Sequence, residues 1–212
     1  MATLIFDIET TPLKEDAPSL DALSPATAKL ATLSVYDVER DQGTVYINNE
    51  SRMKSVFDNW HLKIMTEAEL LFEFWQGVQD YDVYAGFSIR RFDVPFITHR
   101  SIAYGVRTTD RLQNRRVIAE QHPPFLIDLF DEFSFHGNMS KPLSLRSLSD
   151  LYKIQEEESF ENPEAFLKLY KNEDLGLITK HCIQKSLVTA RLYQHWLTSL
   201  APSSFLNTIA LL

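Results

Sequence analysis

Apolar positions along this chain recur with two periods, two residues and about 3.6, and the changes of period predict the elements. Residues 3–8 read as a first strand. Lys14 to Ala28 is rich in Pro and Ser and predicts a loop with a short helical turn. Leu30 to Val38 and Gly43 to Asn48 alternate on either side of the polar stretch Glu39 to Gln42, which predicts an antiparallel hairpin. Thr66-Glu67-Ala68-Glu69 is a capping-box pattern ahead of the apolar run Leu70 to Val78, so a helix is expected there. Tyr81 to Phe87 predicts a short buried strand, and Asp93 to Tyr104 a helix with Pro95 in its first turn, where no N–H is required. Phe125 to Leu129 fits a short strand or a helix entry. Helices are expected over 144–152, 163–170 and 174–197. In the last of these, Ile178, Cys182, Thr189, Tyr193 and Trp196 recur near helical spacing and predict a core face. The apolar end, Phe205 to Leu212, is expected to dock on its own domain rather than on a partner. A hairpin followed by strands alternating with helices is an α/β pattern. No repeat or low-complexity linker divides it, so residues 1–212 are expected to form a single domain.

Composition narrows the class. Hydrophobic residues make up 44% and charged residues 24% of 212, as in an ordinary soluble globular protein. The single cysteine excludes an internal disulfide and fits a reducing cytoplasm, the expected location. Met1 to Thr10 has no basic region and carries two acids, so it does not read as a signal peptide. No uninterrupted apolar stretch is long enough to span a membrane, and no membrane partner is expected. The net charge of −8 argues against a standing nonspecific nucleic-acid binder. It leaves room for an enzyme that holds a substrate phosphate through metal ions. The charge is also uneven: Arg90, Arg91, Arg100, Arg107, Arg111, Arg115 and Arg116 are opposed only by Asp93 and Asp110. Most of these arginines are expected on a solvated face, with Arg90 and Arg91 as candidates for phosphate-backbone contact. Glu156, Glu157, Glu158 and Glu161 read as a solvated acidic run.

The candidate chemistry begins at Asp7 and Glu9. On a strand, i and i+2 share a face, so both carboxylates are expected to project together from one sheet edge. Two carboxylates at close range repel, and a cation between them relieves the repulsion. Mg²⁺ and Mn²⁺ prefer such hard oxygen ligands. A strand running out into a solvated turn would carry the same two acids. Asp93, at a helix entry, reads as a capping residue and as a third carboxylate closing on the first two, roles that are compatible. Other chemistry is not signalled. There is no GxxxxGK[ST] loop and no GxSxG elbow. Cys182 reads as a packed thiol, and His99, His122 and His136 lack zinc-ligand spacing.

Phe6-Asp7-Ile8-Glu9-Thr10 resembles the first motif of the DEDD superfamily of 3′–5′ exonucleases. Gly86-Phe87-Ser88-Ile89-Arg90-Arg91-Phe92-Asp93-Val94-Pro95-Phe96 resembles the second, with Ser88 where Asn is usual. The nearest subgroup is the exonuclease domain of family B DNA polymerases and its free-standing relatives. Leu126-Ile127-Asp128-Leu129 and the stretch Pro142 to Leu148 resemble their middle region. The third motif departs from the family pattern. In His181-Cys182-Ile183-Gln184-Lys185, His181 falls where the family has Tyr, and Lys185 where it has the fourth metal-binding acid. The sister subgroup's alternative, an acid five residues after the His, meets Ser186.

What the resemblance implies is an RNase H-like α/β fold, a mixed central sheet flanked by helices. It implies hydrolysis of a terminal phosphodiester by two Mg²⁺ or Mn²⁺ ions roughly 4 Å apart. Asp7 would bridge the ions, Glu9 would serve the water-side ion, and Asp93 would act through a bridging water. His181, where the family's Tyr orients the attacking water, would either do so as a general base or be a structural residue of its helix. Thr10, Phe87, Ser88, Arg90 and Arg91 would touch the nucleic acid. The partner would be single-stranded DNA or RNA, with a protein partner left open. Two functions follow: an exonuclease weakened by Lys185, or an inactive RNase H-like module that binds nucleic acid or a protein. A third, a resolvase-type nuclease, would need a different acid set. Lys185 itself is expected to pair with Asp7 or Glu9.

Overall fold

The computed structural model describes residues 1–14, 18–51, 53–112, 122–154 and 163–211. Among the described residues seven strands form one mixed sheet: β1 (Thr3–Pro12), β2 (Ala28–Asp37), β3 (Gln42–Asn48), β4 (Met53–Phe57), β5 (Trp60–Met65), β6 (Val83–Gly86) and β7 (Phe125–Asp128). Their order across the sheet is β4-β5-β3-β2-β1-β6-β7. β1, β2 and β3 run as an antiparallel meander, while β6 lies parallel to β1, and β7 parallel to β6.

Strand alternation divides the interior. Leu4, Phe6 and Ile8 of β1 join a cluster with Leu30, Leu33 and Tyr84 under α1 (Glu67–Gly77) and α2 (Asp93–Ala103). Ile5 points to the other face, with Ala31, Val45, Ala85 and Ile127. That face is covered by α3 (Leu129–Phe133), α4 (Leu145–Tyr152), α5 (Pro163–Lys171), α6 (Leu175–Ser199) and α7 (Ser203–Ile209). The buried stripe of α6 includes Ile178, Cys182, Thr189, Tyr193 and Trp196, the positions that helical periodicity selects. Phe205 of α7 packs edge-on against Phe125 and Trp196, so the apolar tail docks on its own chain. The capping box of α1 forms as its sequence predicts: the Thr66 hydroxyl accepts from the Glu69 N–H, and the Glu69 carboxylate accepts from the Thr66 N–H.

Several expectations need correction. The first strand runs to Pro12, past the predicted end at Ile8, with a register shift between Glu9 and Thr10. Asp7 and Glu9 therefore stand inside a ten-residue strand rather than at its end. β1 is also an interior strand, so the two acids do not project from an outer edge of the sheet. No element is predicted between Asn48 and Thr66, yet β4 and β5 form a second hairpin there, with Asp58 in the left-handed region at its turn. Phe125 to Leu129 is both of the predicted alternatives in succession, since β7 leads straight into α3. Arg100 is not on a solvated face: it is buried, with its guanidinium 2.7 and 2.8 Å from the Glu67 carboxylate. Arg115, Arg116 and the acidic run Glu156 to Glu161 lie outside the described residues.

Candidate active site

The site begins where the parallel pairing of β1 stops. β6 pairs only with Thr3, Leu4 and Ile5, and then turns away at Gly86. A Cβ at Gly86 would lie 2.7 Å from the Phe6 carbonyl oxygen, so glycine permits the close approach that ends the pairing. Beyond that point the β6-facing flank of β1 has no strand partner among the described residues, and a buried N–H there needs another acceptor. Asp93 Oδ1 supplies it, accepting from the Ile8 N–H at 3.0 Å. The capping role expected of Asp93 is thus not the one it plays: its own helix α2 has no side-chain cap, and its carboxylate is given to β1. α2 packs under the opposite face from Asp7, but its first residue reaches around β1 and lines the same cleft.

The turn that delivers Asp93 is held by Asp128, at the end of β7. Asp128 Oδ1 accepts from the N–H groups of Ser88 (2.9 Å) and Phe130 (3.0 Å), and Oδ2 from that of Arg90 (2.9 Å). The same carboxylate caps α3. Ser88 has φ 65, a left-handed backbone in which Asn is the better-suited residue. Asp128 belongs to the resemblance in the middle of the chain, but no role is expected for it there. The local signal was an Asp immediately before a helix, an ordinary N-cap pattern.

α6 closes the site from the other side. It lies across β1 and β2, where the Cys182 thiol is 3.3 Å from the Thr32 hydroxyl and the Ser186 hydroxyl 2.9 Å from that of Ser34. His181 and Lys185, i and i+4, then share the face that meets Asp7 and Glu9. Lys185 Nζ is 3.0 Å from Asp7 Oδ2 and 2.8 Å from Glu9 Oε1. His181 Nε2 is 2.9 Å from that same Glu9 oxygen, and its ring packs against Phe166. The two acids are bridged by an ammonium on an adjoining helix.

The electrostatics follow from burial and this cation. Burial opposes ionisation of Glu9, but Lys185 and His181 outweigh it and hold the carboxyl down at about 2. Asp7 is pushed up to about 6 by burial, against the pull of Lys185. Asp93 is raised well above the ordinary range by burial and by the neighbouring Asp7. Burial alone would lower Lys185; Asp7 and Glu9 reverse that and raise it. The Lys185 ammonium stands between the Asp7 and Glu9 carboxylates and offsets part of their charge.

The residues present do not fit a two-ion centre. A divalent ion bridging Asp7 and Glu9 would have to share their inner oxygens with the Lys185 ammonium, like charge against like. Among the described residues no group of three or more His, Cys, Asp or Glu is arranged to hold a metal ion.

A cleft of about 680 Å³ opens over the cluster, with Leu20, Leu23, Phe87, Phe92 and Leu167 as apolar walls and Glu164 at its side. Of the positions expected to touch nucleic acid, Thr10, Phe87 and Ser88 line this cleft, though the Thr10 hydroxyl donates to the Ala22 carbonyl. Arg90 and Arg91 lie in a different cleft, beyond the Ser88–Phe92 turn. The guanidinium of Arg90 donates to the Leu126 carbonyl and stands 4.0 Å from Asp131, so it holds structure. Leu20, Leu23, Glu164 and Leu167 were not expected at the site; their sequence carries no pattern beyond loop and helix. No helix among the described residues is long and apolar enough to cross a membrane.

Comparison with known proteins places this arrangement among described families and folds. Residues 1–160 match the family model described as DNA polymerase family B, exonuclease domain. The fold matches the structure of the family B DNA polymerase from the hyperthermophilic archaeon Pyrobaculum calidifontis, with a TM-score of 0.67 and 17% identity over 92% of this chain. The chain spans only 24% of that polymerase's length. The likeness identifies the sheet and its helices as an RNase H-like fold. No curated protein sequence matches the chain.

Proposed function

The chain belongs to the exonuclease-domain family of family B DNA polymerases, and from that membership we propose an exonuclease-like domain that receives a single-stranded nucleic-acid end but whose hydrolytic step is suppressed by its own lysine. The observation that carries this reading is Lys185 Nζ at 3.0 and 2.8 Å from Asp7 and Glu9. The ammonium supplies the positive charge that divalent ions would otherwise bring, so the acids are compensated without metal. It brings no water to attack a phosphodiester and no Lewis acidity for a leaving oxygen. His181 is positioned by Glu9 within the cluster, yet a base without an activated water and a stabilised leaving group contributes little.

Binding is supported by the cleft. Its apolar walls, Phe87 and Phe92 among them, suit unstacked bases, which stack on aromatic rings with little regard to sequence. With the Lys185 ammonium among them, the acids also repel a terminal phosphate less than three bare carboxylates would. A labelled single strand incubated with the protein in Mg²⁺ and in Mn²⁺ tests the reading. Binding with slow or no shortening is the expected result. Rapid metal-dependent shortening that Lys185→Asp leaves unchanged would overturn the suppression.

A further inference from the structure

The two arginines absent from the candidate active site lie in a second cleft, and its chemistry is distinct. It has about 780 Å³, within the roughly 300–1,000 Å³ typical of small-molecule sites. Its floor is apolar, made by Val94, Leu126 and Phe130, and its rim carries Arg91, His99 and His136. The Arg91 guanidinium lies over the Phe130 ring, 5.3 Å from its centroid, and is exposed. Arg90 and Asp131, also on the wall, are opposed charges 4.0 Å apart, and His136 Nε2 stands 3.8 Å from the Glu132 carboxylate, which leaves Arg91 as the rim's fixed positive charge. The first cleft has four carboxylates against one lysine among its lining residues. A phosphate is therefore drawn more strongly to the second cleft than to the first, where the one lysine is already paired with Asp7 and Glu9.

The rim is also built by an unusual backbone. Phe135 (φ 52), His136 (φ 57) and Gly137 (φ 87) stand in succession in the left-handed region, and the first two are not glycine. Such conformations persist only where surrounding structure enforces them. Here the enforcing bonds are the His136 N–H to the Asp131 carbonyl (2.7 Å) and the Gly137 N–H to the Ser134 carbonyl (3.2 Å). Their effect is to set His136 on the rim opposite α2.

We propose that this second cleft is a nucleotide site: a base lies on the apolar floor beside Phe130, and its phosphate is taken by Arg91 between His99 and His136. Arginine is suited to both halves, through its planar stacking face and its bidentate fork for phosphate oxygens. The Phe87–Val94 segment is the partition between the clefts, since Phe87, Ser88, Phe92 and Asp93 line one and Arg90, Arg91 and Val94 the other. The occupant is either a nucleotide unit of the strand whose end enters the first cleft or a free nucleoside monophosphate. The site rests on the single-strand reading only for the first of these sources.

Titration of the full chain with deoxyadenosine monophosphate tests the proposal without any cleavage step. Binding with shifts of the His99 and His136 ring resonances is expected, together with a loss of affinity of about tenfold or more in Arg91→Glu. Equal affinity in Arg91→Glu, or no shift at the two histidines, would overturn it. Inorganic phosphate binding as tightly as the nucleotide would overturn the base half of the assignment. An oligothymidylate of about ten nucleotides that displaces the monophosphate assigns the site to the strand; one that binds without displacing it assigns the site to free nucleotide. Because Lys185 is in the other cleft, these outcomes stand whether or not the suppressed-hydrolysis reading survives.

Discussion

Lys185 carries more of this molecule's chemistry than any other residue, and its removal has a signed pH dependence. With His181 it holds Glu9 at about 2. A carboxyl lowered in this way stabilises the fold above its ordinary value of 4.5, and the contribution is lost as pH falls toward 2. Lys185→Met takes the cation away and leaves Asp7, Glu9 and Asp93 together and buried. Removing one partner of a buried pair costs about 3–5 kcal/mol. That loss should be largest near pH 8 and shrink toward pH 5, because uncompensated carboxyls bind protons and become neutral. Urea unfolding at the two pH values measures it; an equal loss at both would mean the ammonium is merely a solvated charge. Lys185→Asp goes further, since it puts a fourth acid into the same space. This variant should melt well below wild type in chelator and recover on adding Mn²⁺, by the linkage between ion binding and folding. Thermal melts with and without Mn²⁺ check this, and a variant indifferent to the ion would remove the idea that lysine stands on an ion position.

At the scale of elements, the turn between β6 and α2 decides where Asp93 points. Asp128 holds it through two oxygens, so Asp128→Asn keeps one acceptor and turns an amide toward the Arg90 N–H or the Ser88 N–H. A buried donor left without an acceptor costs about 1–3 kcal/mol. Amide hydrogen exchange at Ser88 and Arg90 should accelerate relative to the α1 amides; unchanged protection would show that packing of Phe87 on Phe130 holds the turn instead. The elements that the sequence made legible are those with one strong period. The β2–β3 alternation, the α1 capping box and the α6 stripe appear where the residues predict them. β5 also alternates, with Trp60, Leu62 and Ile64 buried between His61 and Lys63, but its hairpin turn, Asp58-Asn59, lacks the glycine that marks a tight turn. The length of β1 was hidden for a different reason: acids and threonines at Asp7 to Thr11 look like a strand's end. They are strand because β2 pairs with them as far as Pro12. The meeting of Asp7, Glu9 and Lys185 was legible through the motif register, whereas Arg90's structural bonds and Asp128's clamp depend on a turn geometry that no local pattern encodes.

Across the whole molecule, the distribution of charge limits how nucleic acid can be held. The chain carries −8, and the positive charge nearest the candidate active site is spent on Asp7 and Glu9. Seven arginines crowd residues 90–116, yet Arg100 is paired with Glu67 and Arg90 with the Leu126 carbonyl and Asp131. The long-range electrostatic term must then be small, and affinity must come mostly from base contacts with apolar walls. Each phosphate neutralised on a single strand contributes about −0.7 to the slope of log affinity against log salt. The wild-type slope should therefore be shallow, and Arg91→Gln should reduce it by about that one increment. Arg90→Gln should leave the slope unchanged and instead lower the unfolding midpoint, because its guanidinium ties the turn to β7 and α3. Fluorescence anisotropy of a labelled strand over a salt series, beside urea unfolding of each variant, separates the two. If Arg90→Gln flattened the slope as much as Arg91→Gln does, Arg90 would be a phosphate contact after all, and the division of labour between the adjacent arginines would be wrong.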